Sequence, residues 1–396
     1  MKVSLQSEIT LYPLSIRKDK KHYIVEEPIS GDFFELPEIG VDAIKRLEQG
    51  EELVSIEHAL KTSYPDEEVD IVDFVEQLLE LGLVQEVDGV LVKNEQSKST
   101  SRSGGFLWIP HSVGRLFFNG VMNKIYLLLL VANIVMLILN PELFPHYKDI
   151  FLFDSMMLNI ISYLFISLLL ILIHEFGHIF AIRSHELPAK LSIGNRLIFI
   201  VFETDLTQAW KLDPKKRNIL YLAGLSFEQV ILFLSFGVML LFPDAGVIGI
   251  LGIIVLDIFI KFIYQCCFYM KTDVYYVVEN ITGCYNLMEN GKIYLNSLFK
   301  KRRKDENINK EMFQGEWNLI RLYSVFYIVG VVLTLILAVL YFVPQLYYTY
   351  TTIYLNLLLG TGNRAAFWDA VAFLVMTMLM LVLLMYVAKK QRHENS

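Results

Sequence analysis

Residues 168–182 read Leu-Leu-Leu-Ile-Leu-Ile-His-Glu-Phe-Gly-His-Ile-Phe-Ala-Ile. Apart from His174, Glu175 and His178 the stretch carries no polar side chain, so it reads as part of a membrane-spanning helix. Residues four apart on a helix share a face, so His174 and His178 can offer two imidazole nitrogens to one metal ion. Glu175 lies beside that pair, where a carboxylate can take a proton from a water at the metal. A histidine pair alone would also suit a polar contact or a proton relay. The glutamate in register favours zinc, because ionisable side chains so close together are costly in hydrocarbon without a use.

The chain has 396 residues, 54% of them hydrophobic, which excludes an ordinary soluble enzyme and suits a membrane protein with a soluble part. A net charge of -7 argues against a nucleic-acid partner. Cys266, Cys267 and Cys284 form no Cys-x-x-Cys, so neither a disulfide framework nor a cysteine zinc site is expected. Residues 1–10 lack the apolar core of a signal peptide, so insertion is expected from internal helices.

Residues 1–93 read as a soluble domain. Short apolar-rich runs at 11–16, 23–25 and 33–36 predict strands. Helical periodicity covers 38–49, 54–64 and 68–81, stopping before Gly50, Pro65 and Gly82. Residues 83–92 predict a hairpin turned by Asp88-Gly89. Three helices and a hairpin make an α/β winged-helix-like pattern, and the helices lack the basic face that DNA would require. Residues 94–117 follow as a linker and juxtamembrane segment, polar and flexible through Gly105. The first domain resembles the PqqD-like family, which presents a strand edge and a helix to the leader of a ribosomally made peptide. A generic winged helix for another partner is the alternative.

Residues 118–390 read as a polytopic α-helical membrane domain. Six spans are expected, at about 122–140, 156–182, 218–242, 246–270, 318–343 and 365–388, each near the ~20 residues a bilayer requires. Residues 344–360, apolar but interrupted by polar groups, predict a re-entrant or interfacial segment. Lys and Arg concentrate in 183–217, 271–317 and the tail, which places both termini and the first domain in the cytoplasm of a multi-pass cell-membrane protein. The run Lys300-Lys301-Arg302-Arg303-Lys304 is expected to fix topology and meet lipid headgroups.

A catalytic zinc keeps three protein ligands and an open position. Asp273, just past the fourth span on the side that His174 and His178 face, is the best third ligand; Glu203, Asp205, His185 and Glu228 are rivals. A straight fourth helix would leave Asp273 shallower than His174, so that helix is expected to break or tilt, or the site to open on a water-filled cavity.

Here the chain resembles the site-2 protease family of intramembrane zinc metalloproteases, and the ending Asp273-Val274-Tyr275-Tyr276 resembles a looser peptide zinc metalloprotease branch of it. The likeness covers about 156–280: His174-Glu175-x-x-His178, then Ala223-Gly224-Leu225-Ser226-Phe227-Glu228, then Asp273. The resemblance implies that His174, His178 and Asp273 hold one catalytic zinc ion and that Glu175 is the general base. Val274 stands where the family has Gly, Leu225 where it has Pro and Glu228 where it has Asn. Gly224, Glu228 and Asn195 are candidate neighbours of the metal ligands or of the substrate. Asp257 and Lys261, four apart, are expected to pair. Two β-like runs around Gly194-Asn195 predict a hairpin whose edge would hold an extended substrate, or lie idle on the membrane surface.

These readings converge on peptide-bond hydrolysis in the maturation of a ribosomally made precursor. The alternatives are cleavage of a membrane-anchored regulator, and a non-catalytic peptide receptor serving export or immunity. A transporter is disfavoured because the halves of the membrane region show no repeat.

Overall fold

The computed structural model describes residues 3–20, 22–92, 105–196, 199–284, 286–299, 317–359 and 364–394. The expected linker over 94–104 and the cationic run at 300–304 lie outside them. The chain divides into two compact units, Met1–Gly105 with Leu206–Pro214, and Phe106–Asp205 with Lys215–Ser396.

The first unit carries β1 (Ile9–Leu11), β2 (Ser15–Asp19), β3 (His22–Glu27), β4 (Asp32–Leu36), α1 (Glu38–Glu48), α2 (Leu53–Ser63), α3 (Ile71–Glu80), β5 (Val84–Val87) and β6 (Val90–Leu91). The single strand expected over 11–16 is two strands in two sheets, β1-β5-β6 and β2-β3-β4. The break contains Pro13, which cannot donate to a ladder. Asp70 caps α3 by accepting from the backbone N–H of Val72 and Asp73, both at 3.0 Å. Asp88 and Gly89 both take positive φ, as the tight turn between β5 and β6 demands. Ile44 and Leu47 of α1, Ile56 and Leu60 of α2, and Ile71, Val75 and Leu78 of α3 close over Ile9, Val84 and Val87. Residues 206–214 join this unit through the 3-10 turn Thr207–Lys211. The Arg17 guanidinium donates to the Trp210 carbonyl and, at 2.9 Å, to that of Lys211, whose ammonium lies 3.0 Å from Glu26.

The second unit is mostly helical: α4 (His111–Phe117), α5 (Gly120–Leu139), α6 (Met156–Arg183), the hairpin β7 (Lys190–Arg196) and β8 (Phe199–Asp205), α7 (Pro214–Tyr221), α8 (Ala223–Leu241), α9 (Ile248–Gln265), α10 (Asp273–Thr282), α11 (Leu287–Phe299), α12 (Trp317–Leu337), α13 (Val343–Leu359) and α14 (Arg364–Glu394). Among the described residues six stretches are long and apolar enough to cross a bilayer: His111–Leu139, Met156–Arg183, Ala223–Leu241, Ile248–Gln265, Trp317–Leu358 and Arg364–Tyr386. Helix α6 is central, packed against α4, α8, α9 and α14. Leu170, Leu232, Phe236, Val255 and Ile258 interlock at its crossing with α8 and α9.

Three expectations change. Residues 344–359, the described part of 344–360, are no separate re-entrant loop. They form α13, continuous with α12 through a π turn at Ala338–Phe342. Pro344 has no N–H for the carbonyl four residues back, and the π turn is where the ladder absorbs that loss. The fourth span ends at Gln265, short of the expected 270, and the chain leaves the helix before α10 starts at Asp273, as the expected break requires. The hairpin does not turn at Gly194-Asn195. Those residues lie within β7, paired with Val201 and Ile200, and the ladder runs on to Arg196 opposite Phe199; residues 197–198 lie outside the described residues. A ladder from Lys190–Asp205 to Arg196–Phe199, anchored to α6 by Thr204, outweighs the local preference of Gly-Asn for a turn.

Candidate metal centre

Helix spacing places His174 and His178 on one face of α6, with their Nε2 atoms 3.2 Å apart. His178 is buried and His174 nearly so. Two glycines let α8 come this close. A β-carbon on Gly177 would lie 2.6 Å from the Ala223 carbonyl oxygen, and one on Gly224 would lie 2.3 Å from His174 Nε2.

The two Nδ1 atoms face away from the gap. His178 Nδ1 donates to the Leu220 carbonyl at 2.9 Å, in the last turn of α7, where helix carbonyls lack intrahelical partners. A carbonyl only accepts, so the proton sits on Nδ1 and the lone pair of a neutral ring sits on Nε2. His174 Nδ1 lies 3.0 Å from Oε1 of Glu228, a fully buried carboxylate on α8, which sets the same tautomer. Glu228 Oε2 has no hydrogen-bond partner among the described residues.

Asp273 closes the triangle. Its Oδ2 lies 3.0 Å from His174 Nε2 and 3.6 Å from His178 Nε2. The break after α9 resolves the depth conflict, because the chain folds back instead of climbing another turn of helix. Gln265, the last residue of α9, clamps the aspartate twice: its Nε2 donates to Asp273 Oδ2 and its Oε1 accepts from Asp273 N–H, both at 3.0 Å. The Thr272 hydroxyl donates to the Gln265 carbonyl at 3.0 Å and accepts from Tyr275 N–H at 3.3 Å, which starts α10 at Asp273. Burial alone would raise the Asp273 carboxyl pKa. When His178 and His174 are protonated, their charge and hydrogen bonds outweigh it and hold the group well below the usual carboxylate range.

Three electron-pair donors within 3.6 Å of one another require positive charge between them, from protons or from a metal cation. A tetrahedral ion with ligands at about 2.0–2.1 Å needs donors roughly 3.3 Å apart, and 3.0, 3.2 and 3.6 Å bracket that figure. Among the described residues His174, His178 and Asp273 are the one group able to hold a metal ion. The rivals Glu203, Asp205 and His185 lie outside it, and Glu228 reaches His174 from the far ring nitrogen.

Glu175 is buried and offers no atom to this triangle. Its Oε2 accepts from the backbone N–H and the hydroxyl of Thr204 on β8, both at 2.8 Å. Asn195 lies in β7, opposite Ile200; its side chain is outside the described residues. Asp257 and Lys261 pair on α9 at 2.5 Å, apart from the triangle. Thr204, Gln265 and the Leu220 carbonyl escaped the sequence reading. Gln265 alone left a trace, as an amide closing an apolar span.

The chain matches no protein-family model, no curated protein and no solved structure.

Proposed function

We propose that the chain is an intramembrane zinc metalloprotease acting on a peptide. One observation carries the reading: His174 Nε2, His178 Nε2 and Asp273 Oδ2 converge while both Nδ1 atoms are engaged elsewhere. Two imidazoles and one carboxylate leave one tetrahedral position open, as a catalytic zinc requires and a structural one does not. Zinc, when bound, polarises a carbonyl and brings the pKa of water toward neutrality. Glu175 takes one proton from the attacking water and returns it to the departing amide nitrogen, as the new C–O bond forms and the C–N bond breaks. Glu228 and the Leu220 carbonyl keep the two rings oriented throughout.

The bilayer setting is supported by apolar side chains that the fold leaves uncovered, among them Leu127, Leu128 and Leu139 on α5 and Leu379 and Met385 on α14. With Lys and Arg concentrated in 183–217 and 271–317, both termini lie in the cytoplasm of a multi-pass cell-membrane protein. The N-terminal unit is the substrate-capturing part. Its β1 is an edge strand beside a cavity of about 690 Å³ lined by Ile9, Leu11, Leu47 and Leu53. The substrate class is a ribosomally made peptide precursor.

The purified full chain should carry about one zinc per molecule, lost in His174→Ala and kept in Glu175→Gln. Peptide mass spectrometry of cells making the wild-type or the Glu175→Gln protein should find cleavage products only with the wild type. A zinc-free wild type, or identical peptides from both cells, would overturn the proposal.

A further inference from the structure

The residue that meets Glu175 belongs to the hairpin. Thr204 stands opposite Leu191 in the β7–β8 ladder, yet its N–H donates to Glu175 Oε2 at 2.8 Å and so points away from β7. Its hydroxyl donates to the same oxygen at 2.8 Å and lies 3.3 Å from the Glu175 carbonyl oxygen. Both residues are buried. A carboxylate offers about four lone-pair positions over two oxygens. Thr204 fills those of Oε2, and Oε1 takes no hydrogen bond from any described residue.

We infer that Thr204 is the positioning residue of the catalytic carboxylate, and that the β7–β8 hairpin, together with α6, sets where Glu175 points. The inference deepens the protease reading and rests on it for the word catalytic. Helix α6 fixes the Cα of Glu175 but leaves three side-chain torsions to be set. Two donors from one residue, one on the main chain and one on the side chain, fix the plane of the carboxylate and dedicate Oε2 to the hairpin. Oε1 is left as the oxygen that exchanges protons with water. Thr204 thus acts through Glu175 and touches no reacting atom itself.

Two measurements on the full chain test this. In the first, Thr204→Val removes the hydroxyl and keeps the shape and the N–H, while Thr204→Ser keeps both donors. The expected result is a fall in kcat on the order of tenfold in Thr204→Val, at unchanged KM and zinc content, recovered in Thr204→Ser. The second needs neither metal nor turnover. In the metal-free protein, Glu175→Ala should speed hydrogen exchange of the Thr204 amide at least about tenfold. The amides of Glu203 and Asp205, which face β7 by the alternation of an antiparallel ladder, should exchange unchanged. Wild-type kcat in Thr204→Val, a rise in KM or loss of zinc in its place, or unaltered Thr204 exchange in Glu175→Ala would each overturn the inference. If the wild-type chain cleaves no peptide, the protease reading fails by itself. The exchange measurement then decides alone whether Thr204 holds Glu175.

Discussion

Gly224 faces the His174 imidazole so closely that a β-carbon there would lie 2.3 Å from Nε2 and 2.5 Å from both ring carbons beside it. No other residue fits without turning His174 off the triangle. Gly224→Ala should therefore drop the zinc content of the purified protein well below one per molecule. Gly237→Ala, on the same helix with nothing within 4 Å, should leave it at the wild-type level. Metal analysis of the two variants side by side checks this.

Glu228 holds His174 by its far nitrogen. Glu228→Ala should weaken metal binding by about 10- to 100-fold in a chelator competition. Glu228→Gln, which keeps an acceptor oxygen, should lose less. Equal affinity in all three proteins would show that Glu228 plays no part in orienting the ring.

Gln265 makes two hydrogen bonds to Asp273. Gln265→Ala should lower metal affinity by about 10- to 30-fold, since the two lost bonds together remove roughly 1–2 kcal/mol of orientation. The same competition assay measures it, and an affinity within twofold of the wild type would refute the clamp.

Asp369 of α14 reaches the start of α6. It accepts from the Ser155 hydroxyl and from the backbone N–H of Met156 at 2.8 Å and of Met157 at 3.3 Å. This is an N-cap supplied from the far end of the chain. Asp369→Ala should cost about 1–3 kcal/mol, visible as a lower thermal midpoint in detergent, with Asp369→Asn intermediate. An unchanged midpoint would mean that Ser155, which also caps Leu158 N–H at 3.1 Å, suffices alone.

The pattern of legibility follows the range of the forces involved. His174 and His178 were readable together because a helix has a fixed period, and nothing beyond α6 is needed to put them on one face. The three N-terminal helices and the Asp88-Gly89 turn were readable for the same local reason. Asp273 is legible as a candidate ligand, but its reach depends on the chain leaving the helix after Gln265, and no period encodes that. Gln265 and Thr204 were invisible because their bonds to Asp273 and Glu175 join different elements. The strand expected at 11–16 and the loop expected at 344–360 differ from the structure where a proline decides. Pro13 divides one run between two sheets, while Pro344 follows a π turn that carries the helix onward.

The 206–214 segment, counted with the N-terminal unit, imposes an order on biosynthesis. Arg17 and Glu26 are translated early, but the carbonyls and ammonium that meet them emerge only after the first two long apolar helices and the β7–β8 hairpin have been made. The amino-terminal body therefore reaches its finished form late in translation, and a gene truncated near codon 93 encodes a body missing one of its own pieces.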